Sequence, residues 1–405
     1  MKARSTLGEL AEDITVGFVG SMATEYVAEG IPFLRSLNVK PYSYEPSDLK
    51  YISQKFHKKI RKSALSPGDV VAVRTGNPGA SCVIPETLPE ANCSDLVVIR
   101  CGELLDPHFV SYYINSVTHS HVKNQLVGAI QKHFNIGSAK DLPFPDLNKT
   151  QQAEISSVLR VIDKKIELNN RINTKLEAMA KTLYDYWFVQ FDFPDANGNP
   201  YKTSGGKMVY NQTLKREIPE GWSDKTLSQI ANITMGQSPE GSSYNEVGVG
   251  TIFYQGSTDF GWLFPTTRQY TTAPSRMAKK GDILLSVRAP VGDMNIANSD
   301  CCIGRGLAAL NSKTGSDGFL FYVMKYFKQI FNRRNSEGTT FGSITKNDLH
   351  SLTLAYPTAD LLKKYDDVVT NYNKMIFERS LENRELISLR DWLLPMLMNG
   401  QVIVK

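Results

Sequence analysis

The stretch "KGDILLSVR", residues 280–288, has an earlier counterpart in "PGDVVAVR", residues 67–74. Each opens on Gly-Asp, a turn signal, continues as an aliphatic run and closes on an arginine. A buried strand that delivers one cation to its far end reads this way. One such segment predicts a strand, whereas two, more than two hundred residues apart, raise the question of a duplication.

The correspondence extends well beyond these runs. "LGELAEDITVG" (7–17) matches "LSQIANITMG" (227–236), and "PHFVSYYINS" (107–116) matches "GFLFYVMKYF" (318–327). "FNIGSAKDLPFPDL" (134–147) matches "FGSITKNDLHSLTLAYP" (341–357), with a few residues gained. After each closing proline comes a heptad-like seam. The first runs Ile155, Leu159, Ile162, Ile166, Leu176, Ala180, Leu183 and Trp187, interrupted by Asn169 and Asn173. The second runs Leu361, Tyr365, Val368, Tyr372, Met375, Arg379, Glu382, Leu386, Leu389 and Leu393. Aligning "NTKLEAM" (173–179) with "NRELISL" (383–389) places Asn173 on Asn383. A buried asparagine costs stability and specifies register, so these two are expected to fix how the helices pair. The expected fold is α+β: two globular domains in tandem, each followed by a long helix, with the helices paired as an antiparallel coiled coil about a pseudo-two-fold axis. The boundaries are 1–148 for the first domain, 149–190 for its helix, 191–357 for a linker and the second domain, and 358–405 for the second helix and tail.

Composition excludes several classes. The 405 residues are 41% hydrophobic and 21% charged, a globular balance with enough apolar material for at least two cores. "MKARSTLGELAED" lacks the apolar run of a signal peptide, and no stretch has the length a bilayer requires, so a soluble, cytoplasmic protein without a membrane partner is expected. The five cysteines, Cys82, Cys93, Cys101, Cys301 and Cys302, show no Cys-x-x-Cys spacing, so no metal site and no disulfide framework is expected. The 46 Lys/Arg against 41 Asp/Glu leave a net charge of +5, which permits a nucleic-acid partner without demanding one. "KFHKKIRK" (55–62) and "FKQIFNRR" (327–334) are local basic clusters, readable as phosphate contacts or as solvated helix faces.

Taken together, "LYDYWFVQFDFP" (183–194), "REIPEGW" (216–222), "MGQSPEGSSYN" (235–245), "GDILLSVRAPVGDMN" (281–295), "IGRGLAAL" (303–310) and "LRDWLLPMLMNGQV" (389–402) resemble the specificity subunits of type I restriction-modification enzymes. The resemblance covers essentially the whole chain, with "PFLRSLNV" (32–39) and "GDVVAVRTGNPG" (68–79) carrying it in the first domain. It implies two target-recognition domains that read double-stranded DNA as a split, asymmetric site. It also implies paired helices that dock methyltransferase subunits, two of them, and a motor-nuclease restriction subunit. The resemblance places no catalytic residue and no cofactor in this chain; S-adenosylmethionine belongs to the methyltransferase partner, which methylates adenine at N6. In agreement, the sequence holds no Asp-Pro-Pro-Tyr or Asn-Pro-Pro-Tyr segment, no Phe-x-Gly-x-Gly turn and no Gly-x-x-x-x-Gly-Lys-Ser/Thr loop. A helix of about 38 residues spans about 57 Å, or roughly one and a half turns of duplex.

Candidate DNA contacts follow from side-chain chemistry, arginine offering a fork to guanine or phosphate. In the second domain they are Gln237, Ser238, Arg268, Arg276, Arg288 and Arg305. In the first they are Arg35, Arg74, Asn77, Lys132 and His133, with Lys58, Lys59 and Arg61 as phosphate contacts that position rather than specify. An internal salt bridge is the competing reading for each cation. Trp187, Phe188, Phe191 and Phe193 suit a partner-docking patch or packing where helix meets domain, and 195–211 reads as an exposed linker. Two other functions compete: a protein-binding coiled-coil scaffold, and a self-contained DNA methyltransferase or nuclease.

Overall fold

A computed structural model describes residues 3–125, 133–336, 343–398 and 402. Four long helices occur among the described residues: α1 (Pro107–Gln125), α2 (Lys149–Tyr184), α3 (Asp317–Ser336) and α4 (Ala359–Met398). The chain is mixed helix and sheet and divides into two compact units, Met1–Asn169 with Glu382–Lys405, and Asn170–Leu381. Each unit therefore owns one globular head and one half of both α2 and α4. No helix among the described residues is long and apolar enough to cross a membrane.

In the first unit the run Val70–Val73 is a strand buried on both faces. That is why it reads as a continuous β-branched run rather than an alternation. Gly68, at φ +89°, makes the turn before it, and Asp69 Oδ2 closes that turn by accepting from Ser66 N at 2.9 Å. The strand lies in a four-stranded sheet with Ser81–Val83, Leu96–Arg100 and Asp13–Val16. Val70, Ala72, Val97 and Ile99 face α1 and the ends of the long helices, where they meet Phe109, Ile155, Leu159 and Leu394. Val71, Val73, Leu96 and Val98 face a second, five-stranded sheet and meet Leu34, Ala91 and Cys93. Within that second sheet Ile31–Leu34 and Ala91–Cys93 pair in parallel. The unit is thus helix on sheet on sheet, and period-two alternation sends each side chain to one of the two cores.

The second unit repeats this plan. Ile283–Ser286 is buried throughout and follows Gly281 at φ +95°, with Asp282 Oδ2 accepting from Lys279 N at 2.9 Å. Its four-stranded sheet holds Ala231–Met235, Leu307–Ser312 and Met294–Ile296, and its five-stranded sheet pairs Thr251–Tyr254 with Cys301–Ile303 in parallel. Ile283, Leu285 and Leu310 pack on α3 through Phe319 and Val323, while Leu284 and Ala309 pack on Tyr254 and Ile303.

Hydrogen bonds align the two copies residue by residue. Val73 N donates to Ala80 O (2.9 Å) as Ser286 N donates to Asp293 O (2.7 Å), and Phe134 N donates to Arg74 O (3.0 Å) as Ile344 N donates to Val287 O (2.9 Å). Arg74 is therefore the counterpart of Val287, and Thr75 that of Arg288. The strand-ending arginines that look equivalent in sequence are one residue out of step. Likewise Phe134 corresponds to Ile344, whereas the Phe341 suggested by the sequence lies outside the described residues.

Both long helices run on buried stripes. In the first unit α2 buries Ile155, Leu159, Ile162 and Asn169, and α4 buries Asn383, Leu394, Leu397 and Met398. Arg390 Nη1 meets Asp163 Oδ1 at 2.9 Å, and Asn169 Nδ2 donates to Asn383 Oδ1 at 2.9 Å. In the second unit Asn173 Nδ2 donates to Ser380 Oγ (3.4 Å) and Tyr365 OH to Ala180 O (3.2 Å). Within each unit one helix's numbers rise as the other's fall. The expected Asn173 and Asn383 are both buried, but Asn383 pairs with Asn169. The second seam also differs in phase. Val369 and Ile376 are buried in place of Val368 and Met375, and Arg390 turns inward where Leu389 stays exposed. Adjacent apolar pairs, Val368 with Val369 and Met375 with Ile376, leave the phase undefined in sequence, and farther on Asn383 and the half-buried Arg390 give it no apolar mark.

Candidate nucleic-acid interface

In the second unit the two parallel strands, Thr251–Tyr254 and Cys301–Ile303, end side by side, and three of the six predicted contacts, Gln237, Ser238 and Arg305, gather at their ends. Tyr254 O accepts from Gly304 N at 2.8 Å, and Ile303 O accepts from Gln237 N at 3.0 Å. Three loops, 236–238, 255–256 and 304–306, are thereby laid against one another. Glycine is required at the contact: a Cβ on Gly236 would lie 2.1 Å from Gly304 O, and one on Gly306 would lie 2.7 Å from Gln255 O. What projects from this packed backbone is Gln237, Gln255 and Arg305, all exposed, with Ser238 half-buried. Gln255 Nε2 donates to Ser238 Oγ at 2.9 Å, and Ser238 Oγ lies 3.1 Å from Gln255 Oε1 and 3.4 Å from Arg305 N. Arg276 joins the same edge, its carbonyl accepting from Ile303 N at 2.8 Å.

Arg288 stands on the wall of a neighbouring polar cleft of about 350 Å³ formed with Gly256, Ser257, Thr258, Asp293 and Gly306. Asp293 is already matched by Lys328 at 2.5 Å. Arg268 is bound to Asp259 at 3.0 Å, which supports the ion-pair reading for that residue.

In the first unit the contacts scatter more. Arg74 pairs with Asp95 at 2.6 Å, beside Thr75, whose Oγ1 is 3.2 Å from His133 Nδ1, and exposed Asn77 caps the same turn by accepting from Ala80 N. Arg35 leaves the end of strand Ile31–Leu34 and binds Asp48 Oδ2 at 2.9 Å; this guanidinium, followed by Lys50, holds the Asp48 carboxyl below its usual range. Lys58 and Lys59 lie exposed on the short helix Gln54–Lys59, with Arg61 just after it. His57 on that helix faces inward, toward Glu90 (3.2 Å) and Asn92 (3.2 Å). Lys132 lies outside the described residues, as do the side chains of Ile330 to Arg334 in the second basic cluster.

The aromatic run after α2 divides, Phe188 and Phe191 entering the core while Trp187 and Phe193 stay half-buried, Trp187 on the wall of an apolar cleft with Leu183, Val368 and Tyr372. Phe188 and Phe191 are buried, Phe188 stacks edge-on with Phe319 (4.8 Å) and Tyr365 (5.0 Å), and Phe193 lies parallel to Trp222 at 5.4 Å. Part of the linker is also structured, Met208–Asn211 pairing with Arg216–Pro219. All five cysteines are buried and free, and no cluster of three metal-ligating side chains occurs among the described residues. Sequence reasoning missed Gln255. No local signal marks it, because its neighbours come from loops about 17 and 50 residues away.

Residues 219–376 match the family model described as Type I restriction modification DNA specificity domain. A relative from Methanocaldococcus jannaschii, named as the MjaX specificity subunit of a type I restriction enzyme, is 27% identical over 391 residues, spanning 93% of this chain and 88% of its own. The type I restriction enzyme HindI specificity subunit of Haemophilus influenzae is 23% identical over 329 residues, spanning 66% and 70%. Among solved structures, the type I restriction-modification system S subunit from M. genitalium shares the fold at a TM-score of 0.57 and 16% identity, over 97% of this chain and 94% of that one.

Proposed function

We propose that this chain, whose residues 219–376 match the type I restriction modification DNA specificity domain and whose similarity to such specificity subunits extends over most of its length, is itself such a subunit, each of its two heads reading one half of a split, asymmetric site in double-stranded DNA. The observation that carries this reading is the same two-sheet fold built twice, with different side chains at equivalent positions: Arg74 against Val287, Thr75 against Arg288. A repeated frame with divergent loops suits two half-sites of unlike sequence, whereas identical heads would read a palindrome. In this reading α2 and α4 pair antiparallel along their length about a pseudo-two-fold axis and act as the spacer, their outer faces docking two methyltransferase subunits and, through that assembly, a restriction subunit. Residues 1–148 and 191–357 are the exchangeable heads, and 149–190 and 358–405 the shared spacer. The chain reads and does not catalyse. S-adenosylmethionine and the methylation of adenine belong to the methyltransferase subunits, in the cytoplasm where the DNA lies.

Binding of the purified chain to mixed-sequence duplex, at about 50 and 200 mM salt, tests the first step. Lys/Arg contacts to phosphate predict a steep loss of affinity between the two, tenfold or more. No binding at the lower salt would leave the scaffold reading standing. Transfer of radiolabelled methyl groups by the chain alone would establish a self-contained enzyme.

A further inference from the structure

We propose that Gln255 is a base-reading residue of the second head, and that the base it reads is adenine; the inference rests on the DNA-reading function proposed above. The argument begins with what holds this side chain. Gln255 is the first residue after strand Thr251–Tyr254, and its backbone is pinned by Gly306 N, which donates to its carbonyl at 3.3 Å. Gly304 approaches so closely that an added Cβ would lie 2.7 Å from Gln255 Oε1 and 3.0 Å from its Cα. A side chain set between glycines on packed loops loses little freedom when a ligand arrives, which is how a specific contact is kept precise.

The amide group is under-used. Its donor and its acceptor both face one atom, Ser238 Oγ, at 2.9 and 3.1 Å. A primary amide offers a donor and an acceptor side by side, and a single hydroxyl can satisfy the pair only by bending both hydrogen bonds. The edge of adenine offers N6–H and N7 at the complementary spacing, the pairing through which glutamine distinguishes adenine from other bases in the major groove. Ser238 then occupies the place the base edge takes, and once displaced its hydroxyl is free for a neighbouring base or phosphate. Arg305, whose N–H lies 3.4 Å from the same Oγ, puts a cation at the rim for the backbone.

The duplication supplies an independent observation. Gly304 N donates to Tyr254 O as Ser94 N donates to Leu34 O in the first unit, so the residue following the strand is Gln255 in one head and Arg35 in the other. The fold thus places a long polar side chain at one position twice, but Arg35 is held by Asp48 at 2.9 Å, whereas the Gln255 amide meets, among the described residues, only the Ser238 hydroxyl. The two heads therefore differ at that position in which side chain is left to meet a base.

The test is selection of bound sequences from a randomised duplex pool with the full chain, as wild type, Gln255→Ala and Gln255→Arg. Gln255→Ala should relax one adenine position in one half-site, reducing its preference roughly 5- to 100-fold, and leave the other half-site intact as a control for folding. Gln255→Arg should move that position towards guanine. An unchanged motif for Gln255→Ala would overturn the proposal while leaving the DNA-reading function in place. Loss of both half-sites would also overturn it, by assigning Gln255 to the fold. A wild-type chain that enriches no motif would refute the function on which it rests.

Discussion

Asp163→Ala is the substitution whose cost the structure defines most closely. Asp163 and Arg390 join α2 to α4 in the first unit at 2.9 Å, with side chains only 21% and 14% exposed. Tyr112 from α1 donates its hydroxyl to the same carboxylate, and the guanidinium stacks 4.4 Å above Tyr42. Truncating Asp163 leaves a largely buried cation, for which breaking such a pair costs about 3–5 kcal/mol. Arg390 keeps Asp391 at 3.0 Å, but that carboxylate is 57% exposed and screened by water, which places the cost at the lower end. The stranded Tyr112 hydroxyl adds about 1 kcal/mol. The sum is about 3–4 kcal/mol. Hydrogen exchange suits a protein of two units, because it reads each one separately. Protection of the Val70–Val73 and Leu96–Arg100 amides should fall about 100- to 700-fold, at 1.4 kcal/mol per factor of ten, while the Ile283–Ser286 amides stay unchanged. The double variant Asp163→Leu with Arg390→Leu should recover much of the loss, since it strands no charge. A fall of less than about tenfold, or a double variant no better protected than Asp163→Ala, would refute the reasoning.

Burial pushes the thiols of Cys82, Cys101 and Cys301 up to about 12, and that of Cys93 higher still. The thiolate is the reactive form, so a thiol reagent at pH 8 should label none of these four in the native chain and all of them in denaturant; labelling of any one in the folded protein would contradict its burial. Four residues inserted after Asn173 would lengthen α2 by about 6 Å, a little under two base pairs at about 3.4 Å each. The proposed spacer then predicts unchanged half-sites separated by one or two more unspecified pairs, and an active variant with an unaltered gap would show that this helix does not set the distance.

Local turn chemistry made the repeated frame readable in advance. Gly68-Asp69 and Gly281-Asp282 each combine a positive-φ glycine with a turn-closing carboxylate, and each precedes a strand buried on both faces. Such features depend on neighbours in sequence, and so they survive translation into structure. The arginines fared differently. Arg35, Arg74 and Arg268 find their carboxylates at Asp48, Asp95 and Asp259, which are 13, 21 and 9 residues away. No spacing rule couples positions so far apart in sheets and loops. Gln255 was invisible for the same reason, since its surroundings exist only once loops 236–238 and 304–306 have met. The phase of α4 beyond Tyr365 was lost because Val368 and Val369, and then Met375 and Ile376, are adjacent apolar residues that periodicity does not separate, and farther on the stripe passes through Asn383 and Arg390, where it has no apolar mark.

The central claim is that each head reads its own half-site, and exchanging one head tests it most directly. Residues 1–148 are replaced by the corresponding head of a relative with a different first half-site, and the chimera is expressed with its methyltransferase subunits in a host whose methylated adenines are then mapped. The account predicts a motif changed in one half and identical in the other, with the same gap between them. A motif altered in both halves, or unchanged in both, would contradict it.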